Sequence, residues 1–502
     1  MKPLFIFVFY LSALNYLCAQ SVSNEITIKG KNGTHYLIEE NKIIRLNSNS
    51  IKIFNQENLM LIREIPLSSL PKNWIPIELI KFQEKILLFY KSTPANNKFS
   101  GYYHLYCQEI DIENEKLITS GRLITGLAQE FLSGIINEHK NVYFPRASSM
   151  FNYPYVEINI SQDSSKLIVS NIGLHGLVFN PKMEPILKYA IADFSDKKNL
   201  IPISELVDNH GNYHAIAKLF EFEDEFNYSS GENFSKYEDE YNLVYLHSKV
   251  DGKTMMKEID KLEGNQITCA TLKELSNGEI VCVGAYGDNE TKSGLEHGLY
   301  CFYISKMNDL VKIPFTHDEF REDDILEKEN KIKALLNSIN LFETEEKEIL
   351  AIGERIAAPK GFNFGDYISY QDIIMVNLDK ELKKKWLHRL PKNVTYGMKD
   401  YGGGSYKYSY LKGSHYLFFL DNKNNIYKDI TEKPSRCQSS KNGNLVAYRI
   451  KESGRVKKIV LYENFMSTTG FQTRTIRSIS DNEIIFDNCL NNNKSILIKL
   501  LL

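Results

Sequence analysis

Tryptophan, paired cysteines and long hydrophobic runs are all scarce in this chain. Its 502 residues include only 2 Trp and 7 Cys. No two cysteines are spaced C-x-x-C, so zinc ribbons and thioredoxin-like redox chemistry are not indicated. Lys and Arg (61) nearly balance Asp and Glu (63). No basic stripe stands out, which argues against a nucleic-acid partner.

Catalytic signatures are missing as well. The chain has no nucleophile elbow, zinc motif, phosphate loop or G-x-G-x-x-G. Acidic runs at 221–225, 237–240 and 318–327 do not match the twelve-residue calcium loop of an EF-hand. Carboxylates are plentiful, but no pattern in the sequence identifies two of them as a catalytic acid and base. We therefore predict no cofactor and no metal, and favour a protein that is not an enzyme.

The N terminus holds the longest apolar run of the chain. Lys2 precedes an eleven-residue, largely apolar run from Leu4 to Leu14, and a cleavage position follows at Ala19. Eleven residues are too few to span a bilayer, so residues 1–19 are predicted to be a signal peptide. We expect export to the periplasm, the cell surface or the extracellular space, with no membrane span in the mature chain. A lipoprotein anchored at Cys18 is the alternative.

What the chain has in abundance is aromatic residues and regularly spaced turns. The 30 Tyr and 27 Phe favour strands. Hairpins of one kind have turns near residues 209, 277, 346, 413 and 481, about 68 residues apart. Counting fainter copies, eight such hairpins cover 35–46, 78–90, 157–170, 204–220, 272–286, 340–356, 408–421 and 475–488.

A second kind of hairpin alternates with the first. Its seven copies cover 50–65, 105–121, 176–190, 243–259, 299–315, 373–390 and 445–462. Four strands per repeat predict a single β-propeller of four-stranded blades over residues 20–502. Seven blades are favoured and eight are the alternative, with strands in 484–501 closing against the N-terminal segment. An irregular multi-sheet β protein is the competing interpretation.

In period and turn chemistry the chain resembles the broad class of secreted propeller-like proteins. The resemblance covers nearly the whole mature chain. The chain lacks the WD dipeptide, the kelch double glycine and the Asp-box, so no named propeller family is implied.

Two histidines four residues apart, His210 and His214, raise the question of a metal site. Asp208, Asn209 and Gly211 around them are residues typical of tight turns. A zinc site needs three or four ligands, and no second cluster is visible in the sequence. We therefore interpret the stretch as a turn, with His214 at an aromatic position of the outgoing strand.

Two further local patterns give structural expectations. Thr316 and Glu319 form a capping box, which predicts an inserted helix near 317–337 with Leu335 and Leu336 on its apolar face. Cys282 and Cys301 are equally far from the middle of the loop between two neighbouring strands. They are therefore a candidate disulfide.

The hairpin turns are short, whereas many other links are long, and long loops on a rigid scaffold often carry function. Tyr combines a large contact area with a polar tip, which suits recognition of proteins or glycans. The alternative is that these rings pack the loops onto the blades. The candidate binding residues are Tyr143, Tyr153, Tyr155, Tyr228, Phe234, Phe362, Phe364, Tyr396, Tyr401, Tyr406 and Tyr408.

Three functions remain open from the sequence. The first is a secreted, non-enzymatic binding or scaffold propeller that recognises a protein or glycan through its long aromatic loops. The second is a propeller glycoside hydrolase or lyase with acidic groups near a central channel. The third is a structural component of an envelope assembly, which would expose a broad apolar patch.

Overall fold

The protein is an all-β propeller of eight four-stranded blades. The computed structural model describes residues 22–29, 35–47, 49–71, 74–92, 102–114, 116–118, 121–128, 156–171, 175–190, 193–194, 200–220, 241–259, 265–288, 296–315, 334–357, 367–397, 404–438, 443–465, 473–491 and 494–502.

The chain divides into two compact units, of which the first holds both ends of the chain. This unit comprises Met1–Pro66, Asn393–Tyr396 and Gly402–Leu502. It contains blades 1, 7 and 8. Blade 1 is formed by β2 (His35–Glu39), β3 (Lys42–Leu46), β4 (Ser50–Asn55) and β5 (Leu61–Pro66). Blade 7 is formed by β28 (Lys407–Leu411), β29 (Ser414–Asn422), β31 (Gly443–Lys451) and β32 (Val456–Phe465). Blade 8 is formed by β33 (Arg477–Ser480), β34 (Glu483–Asn491), β35 (Lys494–Leu501) and β1 (Val22–Lys29).

The second unit comprises Leu67–Lys392 and Gly397–Tyr401 and contains blades 2 to 6. Blade 2 is formed by β6 (Ile75–Phe82), β7 (Lys85–Ser92), β8 (Tyr102–Asp111) and, at the fourth position, two strands that both pair with β8, namely β9 (Lys116–Leu117) and β10 (Arg122–Ala128). Blade 3 is formed by β11 (Glu157–Ile160), β12 (Leu167–Asn171), β13 (His175–Phe179) and β14 (Pro185–Ala190). Blade 4 is formed by β15 (Leu200–Val207), β16 (Tyr213–Phe220), β17 (Tyr241–Ser248) and β18 (Thr254–Glu258). Blade 5 is formed by β19 (Asn265–Glu274), β20 (Ile280–Asp288), β21 (Glu296–Tyr303) and β22 (Val311–Pro314). Blade 6 is formed by β23 (Ala334–Glu343), β24 (Ile349–Ala357), β25 (Tyr367–Leu378) and β26 (Lys384–Leu390).

Two short strands are additional to those assigned to the eight blades above. β27 (Val394–Gly397) and β30 (Cys437–Gln438) pair in parallel. Short 3-10 turns occur at Ile304–Lys306, Lys423–Asn425 and Thr473–Thr475.

Each blade has two kinds of end because its strands run antiparallel. The turns within the first and second hairpins lie at one end, which we call the turn end. The link between the two hairpins and the link to the next blade lie at the opposite end, the connection end. The hairpins predicted at the repeat spacing are confirmed, for example by the turns at 208–212, 275–279 and 344–348.

The turn chemistry behind this regularity is visible in blades 4 and 5. Gly211 and Gly278 occupy equivalent turn positions with φ of +89° and +82°, a region that non-glycine residues rarely adopt. The amides of Gly211 and Gly278 donate to the carbonyls of Asp208 and Leu275, respectively. The sequence therefore closes successive blades with the same tight turn.

Apolar residues alternate between the two faces of each blade. On β20, Val281, Val283 and Ala285 pack against residues of blade 6. Cys282, between them in sequence, packs on the other face against residues of blade 4. Blades in this unit are thus held together by apolar layers, as expected for stacked sheets.

Eight blades are present rather than the favoured seven. Blade 8 takes its fourth strand from the N-terminal segment, because β1 pairs antiparallel with β35. That blade therefore has no second hairpin in the sequence, which is why only seven second hairpins are visible in the repeat. The prediction that residues 20–502 form one domain stays a prediction.

The helix predicted near 317–337 is wrong at its C-terminal end. Leu335 and Leu336 lie in β23 and pair with Ile356 and Arg355 of β24. A register shift follows between Leu336 and Ser338, so the strand carries a bulge where the sequence suggested a helical face. The part of the prediction before residue 334 lies outside the described residues.

The candidate disulfide is not formed, since Cys282 and Cys301 are both free. Cys282 pairs with Phe302, and Cys301 pairs with Val283. The two cysteines are therefore one position out of register. A shift of one residue places two side chains on opposite faces of a sheet, and the thiols accordingly lie in different apolar layers.

Among the described residues, the structure contains no helix that is both long enough and apolar enough to cross a membrane.

Candidate recognition site

Most of the aromatic residues predicted for binding lie outside the described part of the chain. These are Tyr143, Tyr153, Tyr155, Tyr228, Phe234, Phe362, Phe364 and Tyr401. Tyr396 lies in β27, and only its backbone is described. Tyr406 precedes β28 and is partly buried, and Tyr408 lies within β28.

Tyr408 is engaged inside blade 7. Its hydroxyl lies 3.1 Å from Nδ1 of His415, and the two rings stack with centroids 6.1 Å apart. Burial, and then the nearby Glu452 carboxylate, raise the pKa of Tyr408 above its usual value. For this residue the packing alternative therefore describes the structure better than an exposed binding role.

The connection between β29 and β31 is described over residues 423–438, and we call this segment the Tyr427 loop. It begins with the 3-10 turn at Lys423–Asn425, where the Asn422 side chain accepts the amide of Asn424 at 2.9 Å. Asn425 is buried and bridges the two arms of the loop. Its amide nitrogen donates to Asp421 Oδ1 (2.7 Å) and to the Ser435 carbonyl (2.8 Å), and its oxygen accepts the Ser435 amide at 2.7 Å.

Neighbouring strands fix the base of the Tyr427 loop. The Lys458 ammonium on β32 forms an ion pair with Asp421 and donates to the Asn425 carbonyl at 3.0 Å. On the other arm, Arg436 Nε donates to Thr395 Oγ1 at 2.7 Å, next to the parallel pairing of β27 and β30. The loop is therefore held by side chains and backbone at both ends.

The tip of this loop presents an aromatic ring to solvent. Tyr427 is 92% exposed and Ile430 is 37% exposed, whereas Asn425 at the base is only 1% exposed. An exposed ring on an ordered backbone is the arrangement used by recognition loops, since little conformational entropy remains to be lost on binding.

Polar groups next to the ring are already paired within the loop. Lys428 Nζ donates to the Lys433 carbonyl at 2.8 Å and lies 3.1 Å from Ser435 Oγ. Asp429 Oδ1 accepts both the amide and the hydroxyl of Thr431 at 2.9 Å. The hydrogen bond donated by the Thr431 amide is the largest cause that lowers the pKa of Asp429.

Sequence reasoning did not select Tyr427 as a binding residue. The signal in the sequence is the Asn-rich string DNKNNIY (421–427), because asparagine is typical of tight turns. Asn422 and Asn425 do build the turn. Their effect is to fix the base of a loop whose single aromatic residue points into solvent.

His214 lies on β16, as the turn interpretation expected, and is buried. Its Nε2 is 3.0 Å from Asp208 Oδ2 and its Nδ1 is 2.6 Å from the Tyr245 hydroxyl. Burial raises the pKa of Asp208, but hydrogen bonds led by that from His214 bring it down to about 2. His247 stacks on His214 at 4.6 Å, and burial followed by the charge of His214 lowers its pKa to about 4.

The same histidine position recurs in blade 7. His415 is the second residue of β29, just as His214 is the second residue of β16, and each lies between a tyrosine hydroxyl and a carboxylate. Within the described ranges, no group of three or more His, Cys, Asp or Glu residues is placed to hold a metal ion.

A partly buried carboxyl group lies on the first strand of blade 4. Glu205 Oε1 accepts the hydroxyl of Tyr213 at 2.7 Å and that of Tyr189 at 3.3 Å. Burial, and then the charge of Glu157 on the first strand of blade 3, raise the pKa of Glu205 to about 7. The ring of Tyr189 reaches this position across Gly176, where a Cβ would lie 2.4 Å from its hydroxyl oxygen.

These features define an eight-bladed β-propeller with an ordered, aromatic-tipped loop at the connection end of one blade. No family model matches the chain, and no curated protein matches it in sequence.

Solved structures with similar folds were found at low sequence identity. The polysaccharide lyase Uly1 is 10% identical, with 96% of this chain and 99% of that chain covered and a TM-score of 0.38. The WD40 domain of SCAP from fission yeast is 8% identical, with 94% and 98% covered and a TM-score of 0.36. A eukaryotic initiation factor is 9% identical, with 91% and 93% covered and a TM-score of 0.34. Similarity at this level carries no argument about function.

Proposed function

We propose that the protein is an exported, non-enzymatic binding or scaffold propeller that recognises a protein or glycan at the connection ends of its blades. The observation that carries this proposal is the Tyr427 loop, which combines a 92% exposed ring with a hydrogen-bonded base. Recognition of this kind favours aromatic side chains held on rigid backbone. The aromatic residues predicted in the other long connections belong to the same proposal.

Ordering of the loop before binding is the physical basis of the argument. A mobile loop would have to be ordered by its ligand, which costs roughly 0.5–1.5 kcal/mol for each immobilised side chain. Here the hydrogen bonds of Asn425, Arg436 and Lys458 already order the loop in the folded protein, so the ligand does not have to. The free energy of burying the Tyr427 ring is then available for binding.

The experiment is a binding screen of the mature chain (from Gln20) against a glycan array and a panel of cell-surface proteins. It compares the native chain with a Tyr427→Ala variant and with a Met255→Ala control, another exposed apolar side chain on β18. We expect a ligand whose binding weakens at least about tenfold in Tyr427→Ala only. Melting temperatures should be equal, because the ring contributes little to folding. A ligand bound equally by all three chains would refute a role for this loop.

Acid–base chemistry on a glycan is the second candidate, and one specific observation favours it. Glu205 and Glu157 lie on the first strands of consecutive blades, and the pKa of Glu205 is about 7. A carboxyl group that is half-protonated at neutral pH can donate or accept a proton. Incubating the chain and a Glu205→Gln variant with a polysaccharide panel tests this. Cleavage by the native chain only would support the enzyme, and no cleavage by either would remove this candidate.

A further inference from the structure

We infer that the Tyr427 loop is a convex anchor for a folded protein whose surface supplies the pocket, rather than a platform for a saccharide. This inference rests on the proposed function and names the class of partner for the same site.

Shape is the first argument. A side chain that is 92% exposed has almost no wall of its own chain around it. Nearly all of the contact area for the ring must then come from the partner. Aromatic hot spots of protein interfaces behave in this way, since they bind in complementary pockets of the other protein. Small-ligand sites are instead concave on the side of the receptor.

Polar complementarity is the second argument. A glycan offers many hydroxyl groups, so a site for it needs side chains that can hydrogen-bond to them. The charged side chains that follow Tyr427 are already paired inside the loop. Lys428 donates to Lys433 and Ser435, and Asp429 accepts from Thr431. Breaking these bonds to contact a sugar would cost stability in the loop.

The second exposed residue of the tip points the same way. Ile430, three residues after Tyr427, is 37% exposed and aliphatic. An aromatic and an aliphatic side chain surrounded by internally paired polar groups resemble the centre of a protein interface, where apolar anchors are ringed by polar residues.

The test uses the full mature chain with the photoreactive residue p-benzoylphenylalanine at position 427, and in a control chain at Val250, which is 41% exposed in blade 4. Both chains are irradiated with cell-surface protein extract. A protein crosslinked at 427 but not at 250 is then purified and titrated with the native chain, Tyr427→Ala, Tyr427→Phe and Ile430→Ser. The same variants are applied to a glycan array.

Support requires that Tyr427→Ala weaken binding of the purified protein by about tenfold or more, and Ile430→Ser by a smaller factor, while Tyr427→Phe retains most of it. A glycan whose binding is lost in Tyr427→Ala would overturn the inference while leaving the proposed function intact. If neither the crosslinking nor any array signal depends on Tyr427, both the inference and the proposed role of this loop are refuted.

Discussion

Glu205 shows how one partly buried residue gives the stability of the protein a measurable pH dependence. Its pKa is about 7, against 4.5 for the free side chain, mainly because burial disfavours the charged form. Between pH 4.5 and 7 the folded state therefore holds a proton that the unfolded chain has lost. The contribution of Glu205 to stability is present below pH 4.5 and is lost as the pH rises through 7.

We accordingly predict that the stability gained by replacing Glu205→Gln increases with pH. The neutral amide can still accept the hydroxyl protons of Tyr213 and Tyr189, but it does not ionise. The free energy of unfolding of each protein is measured with urea at pH 5 and at pH 8. The difference between the native protein and the variant should change by roughly 1–3 kcal/mol between the two pH values. Parallel pH profiles of the two proteins would show that Glu205 ionises as freely in the fold as in the unfolded chain.

For single residues, the sequence predicts the strand on which a residue lies better than it predicts the contacts of its side chain. His214 was expected on the strand after a turn, and it lies there. Cys282 and Cys301 were placed on the correct neighbouring strands, but their register was one residue off. Loop-centred counting misses the register shift between Tyr286 and Gly287 on β20. Side chains one residue apart face opposite sides of a sheet, so this small error changes the chemistry completely.

Among the elements, consecutive hairpin turns of the second unit are linked to one another. The Glu343 carboxylate at the end of β23 accepts the amide of Ser276 at 2.7 Å and its hydroxyl at 2.6 Å. At the equivalent place one blade earlier, Glu274 accepts the Asn209 amide at 3.0 Å. A glutamate just before one turn thus caps the turn of the preceding blade.

Removing one of these caps should weaken the packing between blades 5 and 6. We predict that Glu343→Ala lowers the free energy of unfolding by roughly 1–3 kcal/mol, because two donors of Ser276 lose their partner. Glu346→Ala is the matched control. It removes an exposed carboxylate of the next turn and should cost less than about 0.5 kcal/mol. Equal losses in the two variants, measured by urea denaturation, would contradict the capping role.

Elements were predictable where the repeat and the local chemistry agree. Both are present at the turns near 209, 277 and 346, and the hairpins form as expected. They disagree at Leu335 and Leu336, which were expected on the apolar face of a helix. The repeat shows a hairpin from residue 340 onward, and the first strand of that hairpin, β23, extends over Ala334–Glu343. Tertiary pairing with β24 decides the outcome, since local preferences are weaker than a sheet ladder.

For the whole molecule, the sequence predicted the class of fold but not the number of blades. Counting hairpins works only when both strands of a pair are neighbours in the chain. In blade 8 the partners β1 and β35 come from opposite ends of the sequence, so no turn signals their pairing. The Tyr427 loop was missed for a related reason, because its order depends on Thr395 and Lys458, both distant in sequence.

A buried network of charged and polar groups joins the two ends of the chain within the first unit. Arg45 on β3 forms an ion pair with Asp487 on β34 at 2.7 Å and donates to Ser495 at 2.7 Å. Tyr36 donates to the same carboxylate at 2.5 Å. Burial, and then the charge of Asp487, raise the pKa of Tyr36 well above its usual value, so the hydroxyl keeps its proton.

Removing one charged partner of this network should lower the free energy of unfolding more than replacing both partners. We predict that Asp487→Ala costs about 3–5 kcal/mol, because the buried guanidinium of Arg45 loses its counter-ion. The double variant Arg45→Met, Asp487→Leu should recover part of that loss, since apolar side chains of similar volume carry no desolvation penalty. The recovery is partial because the buried hydroxyls of Tyr36 and Ser495 lose these hydrogen-bond partners. Both values come from denaturation of the full chain. A double variant as unstable as Asp487→Ala would mean that blades 1 and 8 depend on the specific hydrogen bonds of the network rather than on charge balance.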